Sequence, residues 1–441
     1  MKKNGGHEMR KSFHSLGNKP VLKYLYRAVK AWKQYGLAAM LRMAKHRLKA
    51  ASPRGAESVG YPIGKLYEDL LKKYEKGEIR GIAIIPSAFE FDELYNQRTI
   101  NLSKYLSDRG YGVIYVAWQW HRAEALEKNY QYVFKNVIQV PLYGFIETHN
   151  GLKVFSGLGD KKYIIMLPAK IFSDLVFFMK DNCFEIFYDI MDDWEGFHEV
   201  GQAPWFVKSV EEFVVLNANK VTAVSQPLVR KFSHLRSDIV HVGNGYCPQA
   251  LSGMANIAGT ARGDDNNIII GYFGHLTDSW FDWELIFDLI DKHENICLEV
   301  IGYGQSEAIR AKAERSERIK LLGKVNPRDL HMYASGWDVA VIPFVKSELS
   351  EAVDPIKIYE YLYFGLPAAV TGISHLSGYP FVKVTENASM PFYRAIMELY
   401  EKKLKKEADY GTIAEFLADK TWGRRFEVFL EPDFISALYR G

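Results

Sequence analysis

The sequence predicts an α/β protein built as two parallel-sheet domains facing a cleft. Three observations predict it. At 441 residues the chain exceeds what one compact core usually serves. Two series of short apolar runs alternate with helical spacing, one over residues 80–245 and one over 267–421. Between them, residues 246–266 are small, polar and glycine-containing, which marks a linker. Strands that alternate with helices return in parallel, and ligands bind in the crevice that such arrays leave between them.

The chain opens on a strongly basic arm. Residues 1–54 carry fourteen Lys and Arg against the single acid Glu8, a charge of +13, which leaves −10 for the rest of a chain whose net charge is +3. Leu22, Leu25, Val29 and Trp32 recur at helical spacing, and after Gly36 so do Leu37, Leu41, Ala44 and Leu48. The arm reads as a basic helical extension, assigned to residues 1–79. A cationic amphipathic helix suits an anionic membrane surface, where each basic residue contributes about 1 kcal/mol. Packing of the arm on the acidic body is the alternative. No module that reads nucleic acid follows it, so nucleic acid is not an expected partner.

In the first domain, residues 81–86 form a buried-strand run, residues 97–108 have helical spacing that Arg109 and Gly110 stop, and 113–116 is the next strand. Further strands are expected at 137–140, 163–167, 184–188, 220–224 and 239–242. The second series begins with a strand at 267–273 and a helix at 283–293. It continues with strands at 298–302, 320–322, 339–343 and 368–371 and helices at 305–315, 327–334 and 355–364.

Composition narrows the class. A hydrophobic share of 48% with 25% charged residues suits a folded protein and argues against disorder. The 27 Tyr and 9 Trp suit carbohydrate contacts, a membrane interface or extra core packing. Cys183, Cys247 and Cys297 are sparse and form no metal-binding or disulfide spacing. The basic start leads into no apolar signal core, and no run approaches a spanning helix, so a cytoplasmic location is expected.

Chemistry concentrates in DPIKIYEYLYFGLP, residues 354–367. Asp354 suits an N-cap, Pro355 the first helical position, Gly365 the residue after the end, and Pro367 stops continuation. The amino end of such a helix binds anions. Lys357 sits in its first turn and Glu360 one turn on. Together they suit a nucleoside diphosphate, with the cation on the phosphates and the carboxylate on the ribose. A surface Lys357–Glu360 pair worth a few tenths of a kcal/mol is the plainer alternative.

Four pieces in order, IGYFGHLTDSWFDWELI (270–286), LEVIGYG (298–304), IKLLGKVNPRDLHMYASGWDVAVIPF (319–344) and DPIKIYEYLYFGLPAAVTG (354–372), resemble the nucleotide-binding half of GT-B glycosyltransferases. The resemblance is to the family 4-like and glucuronosyltransferase-like enzymes of bacterial polysaccharide assembly. It implies two Rossmann-like domains. It sets the loop from Gly271 to Gly274 against the donor phosphates and Gly323, Lys324 and Val325 around the nucleobase. Pro355 and Ile356 would open the donor helix, Lys357 would neutralise the leaving diphosphate, and Glu360 would hold the ribose. His275 is either a phosphate contact or an ordinary loop histidine. One departure stands out. Where many relatives place a sugar-contacting Glu eight residues before Glu360, this chain has Ala352, and Glu351 is one residue off.

The first half resembles the same enzymes through YDIMDDWEGF (188–197) and residues 211–245. The resemblance implies that Asp193, or else Asp192, is the general base on the acceptor hydroxyl. Both acids equally suit capping of the next helix. Trp194 and Arg98 are acceptor-side candidates, Arg98 as a phosphate contact or a surface residue. Residues 422–441 resemble the family's terminal helix that crosses back to the first domain. An acid cluster after a strand also resembles the metal site of GT-A transferases, but the separate nucleotide half implies no metal and no cofactor beyond the nucleotide sugar. The implied function is a hexosyl- or deoxyhexosyltransferase acting on a lipid-linked glycan at the inner face of the cell membrane. An epimerase of the same fold and an inert glycan-binding scaffold are the rivals.

Overall fold

The computed structural model describes residues 63–248, 251, 267–405, 407 and 409–430. Apart from residues 306–308, these belong to one compact unit. The basic arm and most of the expected linker lie outside the described residues.

The first domain opens with helix α1 (Ile63–Glu75), which buries Ile63, Leu66, Tyr67 and Leu70 along one stripe. That stripe joins the first domain's core, so the domain reaches back past residue 80, and the expected extension over 1–79 is too long. The domain continues with β1 (Gly81–Ser87), α2 (Arg98–Asp108), β2 (Tyr111–Ala117), β3 (Gln131–Phe134), β4 (Val137–Pro141), α3 (Leu142–Thr148) and β5 (Lys161–Ile165). Two short helices, α4 (Lys170–Ser173) and α5 (Val176–Asp181), lead to β6 (Glu185–Ile190). Then come α6 (Trp194–Glu199), α7 (Lys208–Asn217), β7 (Lys220–Ala223), α8 (Gln226–Phe232) and β8 (Val240–His241). The sheet order is β3-β4-β2-β1-β5-β6-β7-β8, parallel throughout except where β3 meets β4. Every residue of β1 and β2 is buried, as strands covered on both faces require.

The second domain runs β9 (Ile268–His275), α9 (Trp283–Lys292), β10 (Ile296–Tyr303), α10 (Glu307–Ala313), β11 (Ile319–Gly323), α11 (Leu330–Ala334) and β12 (Val339–Pro343). It closes with α12 (Glu348–Ala352), α13 (Ile356–Tyr363), β13 (Ala368–Thr371), β14 (Val382–Val384), α14 (Ser389–Leu404) and α15 (Tyr410–Ala418). Its sheet is all parallel in the order β11-β10-β9-β12-β13-β14. Each sheet reverses direction at its first strand, β1 between β2 and β5 and β9 between β10 and β12. That reversal opens a crevice at the strand carboxyl ends.

The chain then returns. Helix α16 (Trp422–Phe426) and the turn Glu427–Phe429 bury Trp422, Phe426 and Phe429 in the first domain's core against α2. Tyr246, leaving the first domain, pairs with the same crossing: its N–H donates to the Lys420 carbonyl at 3.1 Å, and the Trp422 N–H donates to its carbonyl at 3.1 Å.

A buried polar node ties the two domains together. Arg98 donates from Nε and a terminal nitrogen to both oxygens of Asp189, at 2.6 and 3.0 Å. Its other terminal nitrogen reaches the Gly243 carbonyl at 3.0 Å and Asn244 Oδ1 at 3.2 Å. Thr222 also donates to Asp189, at 2.6 Å. From the second domain, Asp354 accepts the Asn244 N–H at 2.6 Å and the Tyr359 hydroxyl at 2.8 Å, and its carbonyl accepts from Asn244 Nδ2 at 2.6 Å. Arg425 of α16 donates to the Asn244 carbonyl at 3.0 Å.

Two expectations change here. Arg98 is only 3% exposed with every nitrogen engaged, so it is neither a surface residue nor a free phosphate contact. Asp354 does not cap α13, whose N-cap is Pro355; its carboxylate is drawn to Asn244 instead. Replacing Arg98 with Leu strands Asp189 as an uncompensated buried charge, so urea denaturation is expected to show a loss of about 3–5 kcal/mol. A loss under about 1 kcal/mol would contradict the node's place in the fold.

Candidate functional site

The second domain's carboxyl-end crevice is built around Lys357 on the first turn of α13. Its amine donates to the Tyr272 hydroxyl at 3.1 Å and lies 4.7 Å from that ring's centre and 5.2 Å from that of Phe344. Tyr272 in turn donates to the His275 carbonyl at 3.0 Å. Burial lowers the Lys357 pKa to about 8, against the opposing pull of Glu360. No ion pair joins Lys357 to an acid among the described residues. The amine is held by a neutral oxygen and two ring faces, its charge unmatched by a bonded carboxylate.

The glycines of β9 divide in role. Gly274, at the strand's end with φ +143°, meets Lys357: an added Cβ would lie 2.9 Å from its Nζ. Gly271 is different from the expectation. It lies within the strand, and a Cβ there would fall 1.8 Å from Cδ2 of the buried Trp337. Gly271 therefore makes room for an indole and does not face a phosphate.

Around this point sit the other predicted donor residues. His275 lies between Trp280 and Tyr303, with ring centres 5.3 and 5.1 Å away, and its Nδ1 has no partner. Burial first, then Lys357 and Lys324, lower its pKa and keep it neutral. Gly323 ends β11 with φ +70°, Lys324 is exposed with its amine 3.9 Å from the Tyr303 ring centre, and Val325 packs on the second domain's core. Pro355 is buried and Ile356 packs against the first domain's core, so neither side chain faces the crevice.

Glu360 is buried, and its Oε1 accepts from Asn96 Nδ2 of the first domain at 2.7 Å. Burial raises its pKa to about 7, while the Asn96 bond and Lys357 pull it down. Asn96 also accepts from the Trp422 indole and from Asn101. The position of the missing sugar acid is structural. Ala352 packs in the first domain's core and its carbonyl accepts from the Ser225 hydroxyl at 2.7 Å. Glu351 accepts from the Ser374 backbone and hydroxyl at 2.9 and 2.7 Å.

The acids of the first domain separate clearly. Asp189 belongs to the node. Asp193 caps α6 by accepting from the Gly196 N–H at 3.1 Å and is paired with Lys231 at 2.7 Å. Asp192 is half-buried just past the carboxyl end of β6, and it forms no ion pair among the described residues. Burial, then the neighbouring Asp193 and Asp189 charges against the pull of Arg98, raises its pKa to about 7. Trp194 is buried beside it, and its indole N–H is without a partner. Trp283, at the start of α9, is a core residue whose indole donates to the Leu276 carbonyl at 3.0 Å. No group of three His, Cys, Asp or Glu converges among the described residues.

Sequence reasoning missed Asn96, Tyr272 and Tyr303. Tyr272 lies inside the expected strand 267–273 and Tyr303 just beyond the expected strand 298–302, so neither stood out. Asn96 sits in a loop with no pattern, and only the fold brings it to Glu360.

The comparisons agree with this architecture. Residues 267–402 match the model of the family described as glycosyl transferases group 1. A comparison with curated proteins finds no match. The structure is similar to sucrose-phosphate synthase from Thermosynechococcus elongatus, with a TM-score of 0.60 and 12% identity over 82% of this chain and 98% of that one. It is similar to the lipopolysaccharide outer core galactosyltransferase WaaB in its apo form, at TM-score 0.55 and 13% identity over 81% and 99%. It is also similar to Anabaena HepE in complex with UDP and glucose, at TM-score 0.55 and 14% identity over 80% and 99%. The fold is that of GT-B glycosyltransferases.

The two glycines give a test by separation. Gly271→Ala should lower the melting temperature, an overpacking cost of about 3 kcal/mol. Gly274→Ala strains the backbone at φ +143° and, by displacing Lys357, should also weaken nucleoside-diphosphate binding by calorimetry. Equal effects of both on stability alone would undo the distinction.

Proposed function

We propose that this chain is a glycosyltransferase that moves a sugar from a nucleoside-diphosphate donor to a hydroxyl of a glycan acceptor. The observation that carries the reading is Lys357: a half-buried amine without a bonded carboxylate, at the amino end of a helix and at the sheet's reversal. Its domain matches a glycosyltransferase family. Buried cations and helix amino ends are suited to a diphosphate. The similar HepE structure is a complex with UDP and glucose, which fits a donor of this class.

In this reading the diphosphate lies against Lys357 and the first N–H groups of α13, with no metal ion. Glu360 takes the ribose hydroxyls, exchanging its Asn96 partner for them. Asp192 is the base, because Asp193 is committed to a cap and an ion pair. The acceptor oxygen forms its bond to the sugar's C1 as its proton passes to Asp192. The bond from C1 to the diphosphate oxygen breaks, and the electrons leave on that oxygen, where Lys357 and the helix end receive the charge. Among the described residues no helix is long and apolar enough to cross a membrane. We place the enzyme in the cytoplasm at the inner face of the cell membrane. Residues 1–54 would supply the charge for an anionic surface and the acceptor would be a lipid-linked glycan, a reading supported by the composition of the arm.

Binding should appear as a rise in melting temperature with one class among UDP-, GDP- and dTDP-sugars. Lys357→Ala should remove both the shift and transfer, and an unchanged shift would refute the site. Nucleoside diphosphate released without any acceptor glycan product would point to the epimerase or to hydrolysis instead.

The acid–base pattern fixes a pH profile. Asp192 works deprotonated, so kcat/KM should fall as pH drops through about 7. Lys357 loses its charge as pH rises through about 8, so the other limb should fall there. Asp192→Asn should cost about 10²–10⁴ in kcat and remove the share of the acid limb that Glu360, also at about 7, does not carry. Asp193→Asn should mainly lower the melting temperature. The reverse assignment of these two effects would return the base to Asp193.

A further inference from the structure

Beside Asp192 the first domain carries a run of aromatic side chains that neither the donor site nor the base uses. Trp118 directly follows β2, and Trp194 opens α6 after β6, so both stand at strand carboxyl ends. Trp118 contacts Trp120 and Trp205 with ring centres 5.7 and 6.0 Å away, and Trp205 contacts Trp194 at 5.2 Å. Trp194 leads to Phe197 at 6.0 Å, and Phe197 meets Trp280 of the second domain edge-on at 5.6 Å. Trp280 is the neighbour of His275. The strip thus runs from the far side of the Asp192 loop across to the donor crevice.

The strip is the open edge of a core: Trp194 lies in the first domain's core, and Trp118, Trp205 and Phe197 pack against it. Trp120 is 58% exposed, and Trp118, Trp205, Phe197 and Trp280 are half-buried. An exposed indole continuous with such an edge offers an apolar face to a ligand. Two of its polar atoms are also unmet: the indole N–H groups of Trp118 and Trp194 have no acceptor. Both N–H groups are fully buried, and a donor so placed costs about 1–3 kcal/mol.

We propose that this strip is the acceptor subsite and that it takes an uncharged hexopyranose, stacked by its C–H face on Trp120 and Trp118. The proposal rests on the transferase reading and names its acceptor class. Ring faces offer apolar area with polar edges, which is the surface that a pyranose presents in return. The nearby charges argue against an anionic unit. Arg98 is fully engaged in the node, Lys231 is held by Asp193 and Glu195 at 2.7 and 2.9 Å, and Arg122 is paired with Glu147. Asp192 adds negative charge at the near end. Arg98 and Lys231 are thus committed, and the exposed Arg122 shares its charge with Glu147.

Ligand-observed saturation-transfer NMR on the full chain tests this with methyl glycosides of glucose, galactose, mannose, rhamnose and N-acetylglucosamine, and methyl glucuronide as the anionic control. At least one neutral pyranoside should take up saturation, with the glucuronide about tenfold weaker. Trp120→Ala should weaken binding about tenfold or more, and Trp120→Phe should retain part of it. Because Trp120 is exposed, both variants should keep the wild-type melting temperature and the wild-type thermal shift with whichever of the UDP-, GDP- and dTDP-sugars binds. No saturation of any neutral pyranoside, equal binding of the glucuronide, or full binding by Trp120→Ala would each overturn the subsite. Absence of a shift with every UDP-, GDP- and dTDP-sugar in the wild type, with Trp120-dependent sugar binding intact, would instead remove the donor reading and leave the sugar site standing.

Discussion

The bidentate pair between Arg98 and Asp189 has almost no access to water, and a pair so placed holds only if its remaining donors are also met. Those donors reach Gly243 and Asn244, the segment on which the first domain ends. Asn244 in turn closes on Asp354, the residue two before the donor helix. The geometry of α13 is therefore set from outside its own domain. The helix that presents Lys357 and Glu360 begins where a charge of the second domain is anchored to the backbone of the first. Arg425 of the returning helix bonds to the same Asn244, so three separate chain segments converge on one side chain and its peptide groups.

Burial is the second organising effect, and it acts with opposite sign on the groups of the site. It lowers Lys357 to about 8 and raises Asp192 and Glu360 to about 7, so all three titrate within a narrow range. A nucleotide that brings its own charge restores ionisation to the amine it contacts. In the proposed reading such a site suits a charged ligand, and Lys357 itself rests on a hydroxyl and ring faces without an internal ion pair.

Much of this was legible in the sequence. Strand β1 over GIAIIPS and strand β12 over VAVIP announce themselves because both faces are buried, so no charged residue interrupts them. Lys357 was legible because a proline, a helical run, a glycine and a proline punctuate its helix. Gly271 was misread because a glycine at the end of an apolar run looks the same whether it clears an indole or a phosphate. Asp354 and Arg98 were misread for a related reason. Their local settings suit a cap and a surface helix start, but their partners lie 110 and 91 residues away in the chain. The aromatic strip left only a trace in composition, since its members come from several loops and share no period.

The contact between Asn96 and Glu360 has a thermodynamic corollary. One amide group of the first domain holds the carboxylate that a ribose would need, while its oxygen receives the Trp422 indole from the returning helix. Occupancy of that carboxylate and the tightness of the domain contact are then coupled variables. By linkage, whatever factor the interdomain bond subtracts from ligand affinity, the ligand subtracts from the interdomain bond. In the proposed reaction the first domain therefore competes with the donor's ribose for a single carboxylate oxygen.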